Sequence, residues 1–308
     1  MCPHGDRFGL AVSGGPDSLA LLLLAHAAFP DKVEALTVDH GLRQEAAAEA
    51  AMVAKICGSL GVPHRIRRVS LGPGNTQHRA REARYTALAQ WSAERGLSSV
   101  ATAHHADDQA ETLLMRLNRG SGIRGLSGIR AVSTRSDGGL VVVRPLLGWR
   151  KRELERIVAE SGLEAASDPS NTDDRFDRAR IRKGLADADW LDVDAIARSA
   201  GHFAEIEGLL DWVIDREWAE AVEIEPDRIS YAPGRSGAPH SSAVRIGIVE
   251  RSASELGCTS MTGSAAATIV LGLTEGRAVN AAGLDARAKR TSGGEEWIFS
   301  RETPRRER

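Results

Sequence analysis

Through the first half of the chain, apolar residues come in short runs separated by polar, glycine-bearing breaks. Phe8–Val12 reads as a short buried strand, and a glycine turn follows it. The apolar run Leu19–Phe29, interrupted only by His26, predicts a buried helix over Leu19–Ala28. Val33–Val38 is a second strand, ending at Asp39-His40-Gly41. The alanine-rich stretch 44–60 predicts a helix, and the weak alternation of Pro63–Val69 a third strand. After the Gly72-Pro73-Gly74 turn, Asn75 or Thr76 is a candidate cap for a helix reaching to Arg95. Ser99–Ala103 is another strand, and Asp107–Leu117 a helix entered through an acidic pair. Gly120–Gly128 is a glycine-rich bend, Leu140–Val143 a strand with Arg144-Pro145 at its exit, and Lys151–Glu160 the next helix.

Strand and helix therefore alternate to about residue 165, which predicts an α/β fold: a Rossmann-like parallel sheet with helices on both faces. Ligands of such sheets sit beyond the carboxyl ends of the strands. The polar groups at those ends are Ser13–Ser18, Asp39–Gly41, His104–Asp108 and Arg144, far apart in sequence but gathered by that fold. Beyond it, Asp168–Lys183 is polar and short of strand signals. Leu185–Ala219 predicts helix, with Trp190, Phe203, Leu209, Trp212 and Trp218 expected in the core. In the tail, Val244–Val249, Ala267–Leu271 and Glu296–Ser300 are expected strands of a small C-terminal domain. The expected boundaries are 1–185 for the ligand-binding domain, 186–220 for a helical linker and 221–308 for the small domain.

Composition narrows the class. Cys2, Cys57 and Cys258 are far apart and form no CxxC pair, against a disulfide framework and a thiolate zinc site. The apolar run at 19–29 is shorter than the ~20 residues a membrane span needs, and no signal peptide is clear. A cytoplasmic, membrane-free protein is the expectation, with monomer and homodimer both open. The net charge of -2 hides a split. Six arginines and one acid lie between His64 and Arg84, against thirteen acids and three arginines between Ala186 and Ser230. A basic face of this kind can meet a polyanion while the average charge is slightly negative.

The candidate chemistry begins at Ser13-Gly14-Gly15-Pro16-Asp17-Ser18, between strand and helix. Paired glycines let the backbone turn with no Cβ in the way, so that amide N–H groups can face an anion. The helix N-terminus adds unpaired N–H groups and the positive end of its dipole. Ser13 and Ser18 bring hydroxyls, and Pro16 suits a first helical position that needs no N–H. Asp17 beside a phosphate makes sense as a magnesium ligand or as a cap. The string is neither G-x-G-x-x-G nor the lysine-bearing P-loop, so those two readings are weak.

SGGPDS resembles the SGG-x-DS signature of PP-loop ATP pyrophosphatases, in which the loop binds the pyrophosphate part of ATP. Further strings are similar to the tRNA(Ile)-lysidine synthase family: VDHGLR at 38–43, AHHADDQAETLLMRLNRGSGIRGLSGI at 103–129, RPLL at 144–147 and DPSNTDDRFDRARIR at 168–182. The resemblance is dense over residues 8–183. It implies ATP with magnesium, free L-lysine and an isoleucine tRNA with a CAU anticodon. It implies that O2 of the wobble cytidine attacks the α-phosphorus, and that the lysine ε-amine then displaces AMP from C2 to form lysidine. Asp39 and His40 are implied near the adenosine end, with Arg144 reaching the nucleotide pocket from its strand end. Many relatives carry Asn where this chain has Ala179, and the chain resembles the short forms with one compact C-terminal domain. The alternatives are another PP-loop tRNA-modifying or amide-forming enzyme, or a non-enzymatic ATP-sensing module.

Asp107, Asp108 and Glu111 are the candidates for the amine step, since carboxylates can hold an ammonium and later take a proton. Adjacent side chains diverge on a helix, so Asp107 and Asp108 do different jobs, one capping and one facing the cavity. Glu111 lies one turn on. Asp17 is the candidate for magnesium, and Asp108 or Glu111 for the amine. His40, His104 and His105 do not have the geometry of a helical zinc face. On the RNA side, Arg79, Arg81 and Arg84 form one candidate surface, and Arg175, Arg178, Arg180 and Arg182 a second. Arg178 and Arg182 align if that stretch is helical. With 4% aromatic residues no stacking platform is evident.

Overall fold

The computed structural model describes residues 7–41, 45–69, 76–135, 139–166, 177–237, 241–291 and 294–302. By its contacts the chain divides into two compact units, Met1–Ser121 with Gly125–His202, and Gly122–Arg124 with Phe203–Arg308.

The first unit is built on a six-stranded sheet. Its strands are β1 (Phe8–Ala11), β2 (Val33–Asp39), β3 (His64–Arg68), β4 (Val100–Ala101), β5 (Val132–Thr134) and β6 (Val141–Val143), in the order β3-β2-β1-β4-β6-β5. All pairs are parallel except β5–β6, which is antiparallel. The four crossovers among the parallel strands carry helices α1 (Pro16–Ala28), α2 (Glu45–Ser59), α3 (Thr76–Arg95) and α4 (Ala106–Asn118). Short α5 (Ile123–Leu126) and β5 fall between α4 and β6, and α6 (Lys151–Glu160) follows β6. β5 was not among the expected strands, because its face is largely exposed and carries no apolar run.

Both faces of the sheet are covered, as its apolar strands require. Leu10, Leu19, Leu22, Val53 and Leu154 form one buried layer, and Leu36, Leu88, Trp91, Val100 and Val142 another. Gly9 allows the second layer to close. A Cβ there would sit 2.5 Å from Cζ3 of the fully buried Trp91 and 3.1 Å from Cδ1 of Leu97. Gly9→Ala should therefore overpack this layer and cost about 2 kcal/mol, read as a lower urea midpoint at unchanged slope. The strand order reverses direction at β1 and β4, which opens a crevice beyond their carboxyl ends.

Two helices follow, α7 (Asp177–Asp187) and α8 (Val193–Ala221). The polar stretch expected to lack strand is thus partly helix, and the expected helix over Leu185–Ala219 is broken at 188–192. Of its expected core residues, Trp218 is buried. Trp190, Leu209 and Trp212 are instead 79%, 68% and 62% exposed, a correction to the core expected there. Hydrophobicity alone does not say which apolar side chains a helix buries.

The second unit carries an antiparallel five-stranded sheet in the order β7-β8-β11-β10-β9. Its strands are β7 (Val222–Glu225), β8 (Arg228–Tyr231), β9 (Val279–Ala281), β10 (Leu284–Thr291) and β11 (Gly294–Arg301), with helices α9 (Ser242–Glu255) and α10 (Gly263–Thr274). Glu296–Ser300 is strand as expected, but Val244–Val249 and Ala267–Leu271 are helical. The caps decided it. Ser241 Oγ accepts from Ala243 N–H and Thr262 Oγ1 from Ala265 N–H, starting helices in which Gly247 and Gly272 meet Ile214 and Val279 closely. Among the described residues no helix is long and apolar enough to cross a membrane.

Candidate active site

The loop at 13–18 leaves β1 and enters α1 with Gly15 at the N-cap and Pro16 in the first turn. Gly14 has φ +93°, a region that side chains with a Cβ rarely adopt, and a Cβ there would come within 3.2 Å of Met52 Cε. Ser18 ties the loop together. Its Oγ accepts from Ser13 N–H at 3.1 Å and Gly14 N–H at 3.2 Å and donates to the Gly15 carbonyl at 2.9 Å. This corrects the expectation that the Gly14 amide faces outward: a buried N–H needs a partner, and the hydroxyl supplies it. Ser13, Gly15, Asp17 and Ser18 line a cavity of about 320 Å³.

The other walls come from β4's exit and from α3, α4 and α7: Thr102, His104, Arg81, Arg84, Tyr85, Asp108 and Arg178. The crevice thus joins the loop, the acidic helix start and two arginine groups. Arg81 and Arg84 share the cavity face of α3, as their spacing predicts. Tyr85 is buried, its ring under the guanidiniums of Arg81 at 5.1 Å and Arg135 at 4.6 Å. Arg79 is exposed on the same helix. Arg175 lies outside the described residues.

His105 is the hub. It caps α4, yet the Asp108 N–H to Nδ1 distance is a long 3.4 Å. Carboxylate oxygens of Asp17, Asp107 and Asp108 lie 3.6, 3.6 and 3.5 Å from its ring nitrogens. Burial works against a charged ring, but Asp107, Asp17 and Asp108 outweigh it and raise its pKa to about 9. The weak cap yields to that charge. Next to it, burial first of all, and then Arg144 and other cations, push His104 down to about 4.

The two aspartates do diverge. Asp107 turns to α6, accepting from Arg150 Nη2 at 3.1 Å, Arg150 Nε at 3.2 Å and Lys151 N–H at 2.7 Å. Burial opposes its charge, but His105, Arg150 and the Lys151 amide hold its carboxyl far below the usual range. Asp108 accepts from its own helix start, His105 N–H, at 3.2 Å and from Arg178 Nη2 at 2.7 Å, and it faces the cavity. Glu111 is 2% exposed and is gripped by Arg178 Nε and Arg182 Nε, each at 2.6 Å. Arg178 and Arg182 therefore share a face of α7, as expected, but that face is turned onto α4. Arg180 pairs with Asp177.

Three expected nucleotide contacts stand outside the cavity lining. Asp39 is buried and holds Gly41 N–H at 2.8 Å and Arg68 Nε at 3.2 Å, shaping the strand-end turn. Both ring nitrogens of His40 are buried with no hydrogen-bond partner among the described residues, and burial, then Arg84, lowers its pKa. Arg144 is buried against β5, donating to the Arg130 carbonyl at 2.7 Å and Ser133 Oγ at 3.0 Å. Sequence reasoning missed His105 as a charged hub, although His-x-x-Asp at a helix start is a capping signal. It also missed the Arg150 clamp, which nothing local marks.

The raised pKa of His105 has a consequence for stability. A group at about 9 in the folded chain and ~6.5 unfolded contributes fully below pH ~6.5 and nothing above its folded value. His40, His64 and His104 are all depressed, so they oppose the fall only at the acid end of that window, where the unfolded imidazoles finish losing their protons. In metal-free buffer, stability should fall by about 3 kcal/mol between pH 6.5 and 9.5, and His105→Asn should flatten that fall. Urea midpoints across the range test it, and an unaltered slope in the variant would defeat it.

Residues 3–188 match the family model of the PP-loop domain. The chain is 45% identical over 301 residues to the tRNA(Ile)-lysidine synthase of Novosphingobium aromaticivorans, covering 97% of this chain and 90% of that one. It is 39% identical to the synthase of Zymomonas mobilis, covering 99% and 91%. Among solved structures, the U34-tRNA thiolase NcsA of Methanococcus maripaludis superposes with a TM-score of 0.54 at 17% identity, over 65% of this chain and 72% of that one. That likeness shows a shared fold. With a PP-loop domain carrying the crevice and relatives of this identity along nearly its whole length, the chain belongs to the tRNA(Ile)-lysidine synthase family of ATP-dependent, tRNA-modifying PP-loop enzymes.

Proposed function

We propose that the chain joins L-lysine to C2 of the wobble cytidine of a CAU-anticodon tRNA(Ile), through an adenylated base, with release of pyrophosphate and AMP. One observation carries the reading: the loop at 13–18 and the acidic start of α4 line the same cavity. The loop supplies a helix N-terminus and hydroxyls for the pyrophosphate end of ATP. Asp17 fits magnesium, because its Oδ1 is buried with no hydrogen-bond partner among the described residues and its first-turn position faces that cavity. Among the described residues no three His, Cys, Asp or Glu side chains cluster for a metal. One carboxylate suffices when substrate phosphates and water supply the other ligands. The ion's chemistry would be to offset charge on the leaving pyrophosphate.

An amide-like oxygen is a poor leaving group, and phosphorylation makes it a good one, which is why the reaction needs two steps. Asp108 is the carboxylate suited to the lysine ammonium, since it lines the cavity and shares a single guanidinium, Arg178, whereas Glu111 is held by two and stands outside the lining. Arg178, lining the cavity, suits a carboxylate or phosphate. Arg81 and Arg84 suit phosphates of ATP or RNA at the wall that α3 supplies, with Arg79 on the same helix. Asp39, His40 and Arg144 support the pocket's margin. Residues 1–185 are assigned to catalysis, 186–220 to a helical linker and 221–308 to holding tRNA outside the reacting base. All three substrates meet in the cytoplasm, where we place the enzyme.

Incubation with ATP, magnesium, labelled lysine and unmodified CAU-anticodon tRNA should put the label on the wobble base, with AMP release requiring both lysine and tRNA. Label on another nucleotide, or none with competent substrates, overturns the assignment.

A further inference from the structure

A second concavity, of about 470 Å³, lies along the same helix pair that carries the Asp108–Glu111–Arg178–Arg182 cluster. Leu114 and Met115 of α4 and Ile181 and Leu185 of α7 form its apolar floor. Leu114 is one helical turn beyond Glu111, and Asn118 is about 10 Å beyond it along the axis. Trp190, in the turn after α7, contributes to the wall while remaining 79% exposed. Arg119 and Arg180 stand at the rim, both drawn to Asp177, Arg119 at 2.7 Å. Two guanidiniums around one carboxylate leave one net positive charge among the lining residues, and each guanidinium keeps further N–H donors free of that contact.

We propose that this groove seats an unpaired nucleobase of the tRNA, stacked on Trp190, with Arg119 and Arg180 at the adjoining phosphate. The inference rests on the tRNA reading given above. An indole face on an apolar floor beside paired guanidiniums is the combination that recognises single-stranded RNA. Its position along α4 keeps it within reach of a nucleotide near the one entering the cavity. It supplies the stacking residue that composition alone did not reveal. The cationic rim complements a phosphate and the exposed indole a nucleobase, so the pair of features together favours RNA over a partner that offers an apolar surface alone.

The test uses the full-length chain and unmodified CAU-anticodon tRNA, with equilibrium binding measured over a salt series. Trp190→Ala should weaken binding about tenfold or more, and Trp190→Phe should recover most of it. Arg180→Ala should reduce the slope of log affinity against log salt by about one. KM values for ATP and lysine should stay at wild-type values. Circular dichroism and sedimentation of each variant check folding and assembly. Binding by Trp190→Ala within twofold of wild type overturns the proposal. So does a loss of binding that accompanies a change in oligomeric state, which would make the groove a contact between copies. A wild-type chain that binds no tRNA overturns it too. Lysine incorporation by the wild-type chain is scored separately, so if tRNA binds through Trp190 yet no lysine is ligated, the groove stands and the lysidine reading alone falls.

Discussion

Asp17→Asn should slow ATP-dependent pyrophosphate release at least about a hundredfold, the scale of losing one preorganised charge-stabilising group. The substitution keeps the size of the side chain and removes its charge. Asp17 Oδ1 is buried without a hydrogen-bond partner among the described residues, while Oδ2 lies 3.6 Å from His105 Nε2. A charged oxygen left unpaired in a buried place costs free energy unless something occupies the space beside it. A magnesium ion on the phosphates would fill that role, and an amide would not hold it. Raising magnesium should restore part of the rate in the aspartate enzyme at limiting metal, but little in the variant. The fold should survive, because His105 keeps two further carboxylates, Asp107 and Asp108. Pyrophosphate release within a few-fold of wild type would remove Asp17 from the chemistry and leave it as a partner of His105.

The second large effect is expected at Glu111. Glu111→Gln leaves Arg178 and Arg182 facing a neutral group in a place where the carboxylate is 2% exposed. Removing one member of a fully buried ion pair costs ~3–5 kcal/mol. These guanidiniums are 39% and 35% exposed, so water screens them and about 2 kcal/mol is the expected loss. That corresponds to a drop of about 4–8 °C in the unfolding midpoint. Turnover should fall by about a hundredfold as well, because Arg178 also holds Asp108 at 2.7 Å and a small displacement of either misaligns the cavity wall. Glu111→Asp, which keeps the charge, should recover part of both. An unchanged midpoint with intact turnover would mean that α7 is held on α4 by other contacts.

Much of the fold was legible because its signals are local. Leu10, Leu36 and Val142 sit in apolar runs of strand length, Leu19 and Leu22 in a run of helix length, and glycines punctuate the breaks. The same method failed at Val244–Val249 and Ala267–Leu271, where a short apolar run fits a buried strand and a buried helix equally well. There, Ser241 and Thr262 decided for helix by taking up the first amides. It failed also at Trp190, Leu209 and Trp212, because a helical pattern names the apolar side chains without naming what they pack against.

The candidate site divides in the same way. The sequence by itself determined the loop, since Ser13-Gly14-Gly15-Pro16-Asp17-Ser18 is a contiguous piece of backbone chemistry, and it determined that acidic and basic groups stand at strand ends. Only the tertiary structure decided which of those groups are spoken for. Asp107 is taken by Arg150 and Glu111 by Arg178 and Arg182, while Asp17 and Asp108 line the cavity even as His105 draws on both and Arg178 holds Asp108. The reason is physical: charge partnership depends on distances of a few ångströms between elements dozens of residues apart, and no local pattern encodes them.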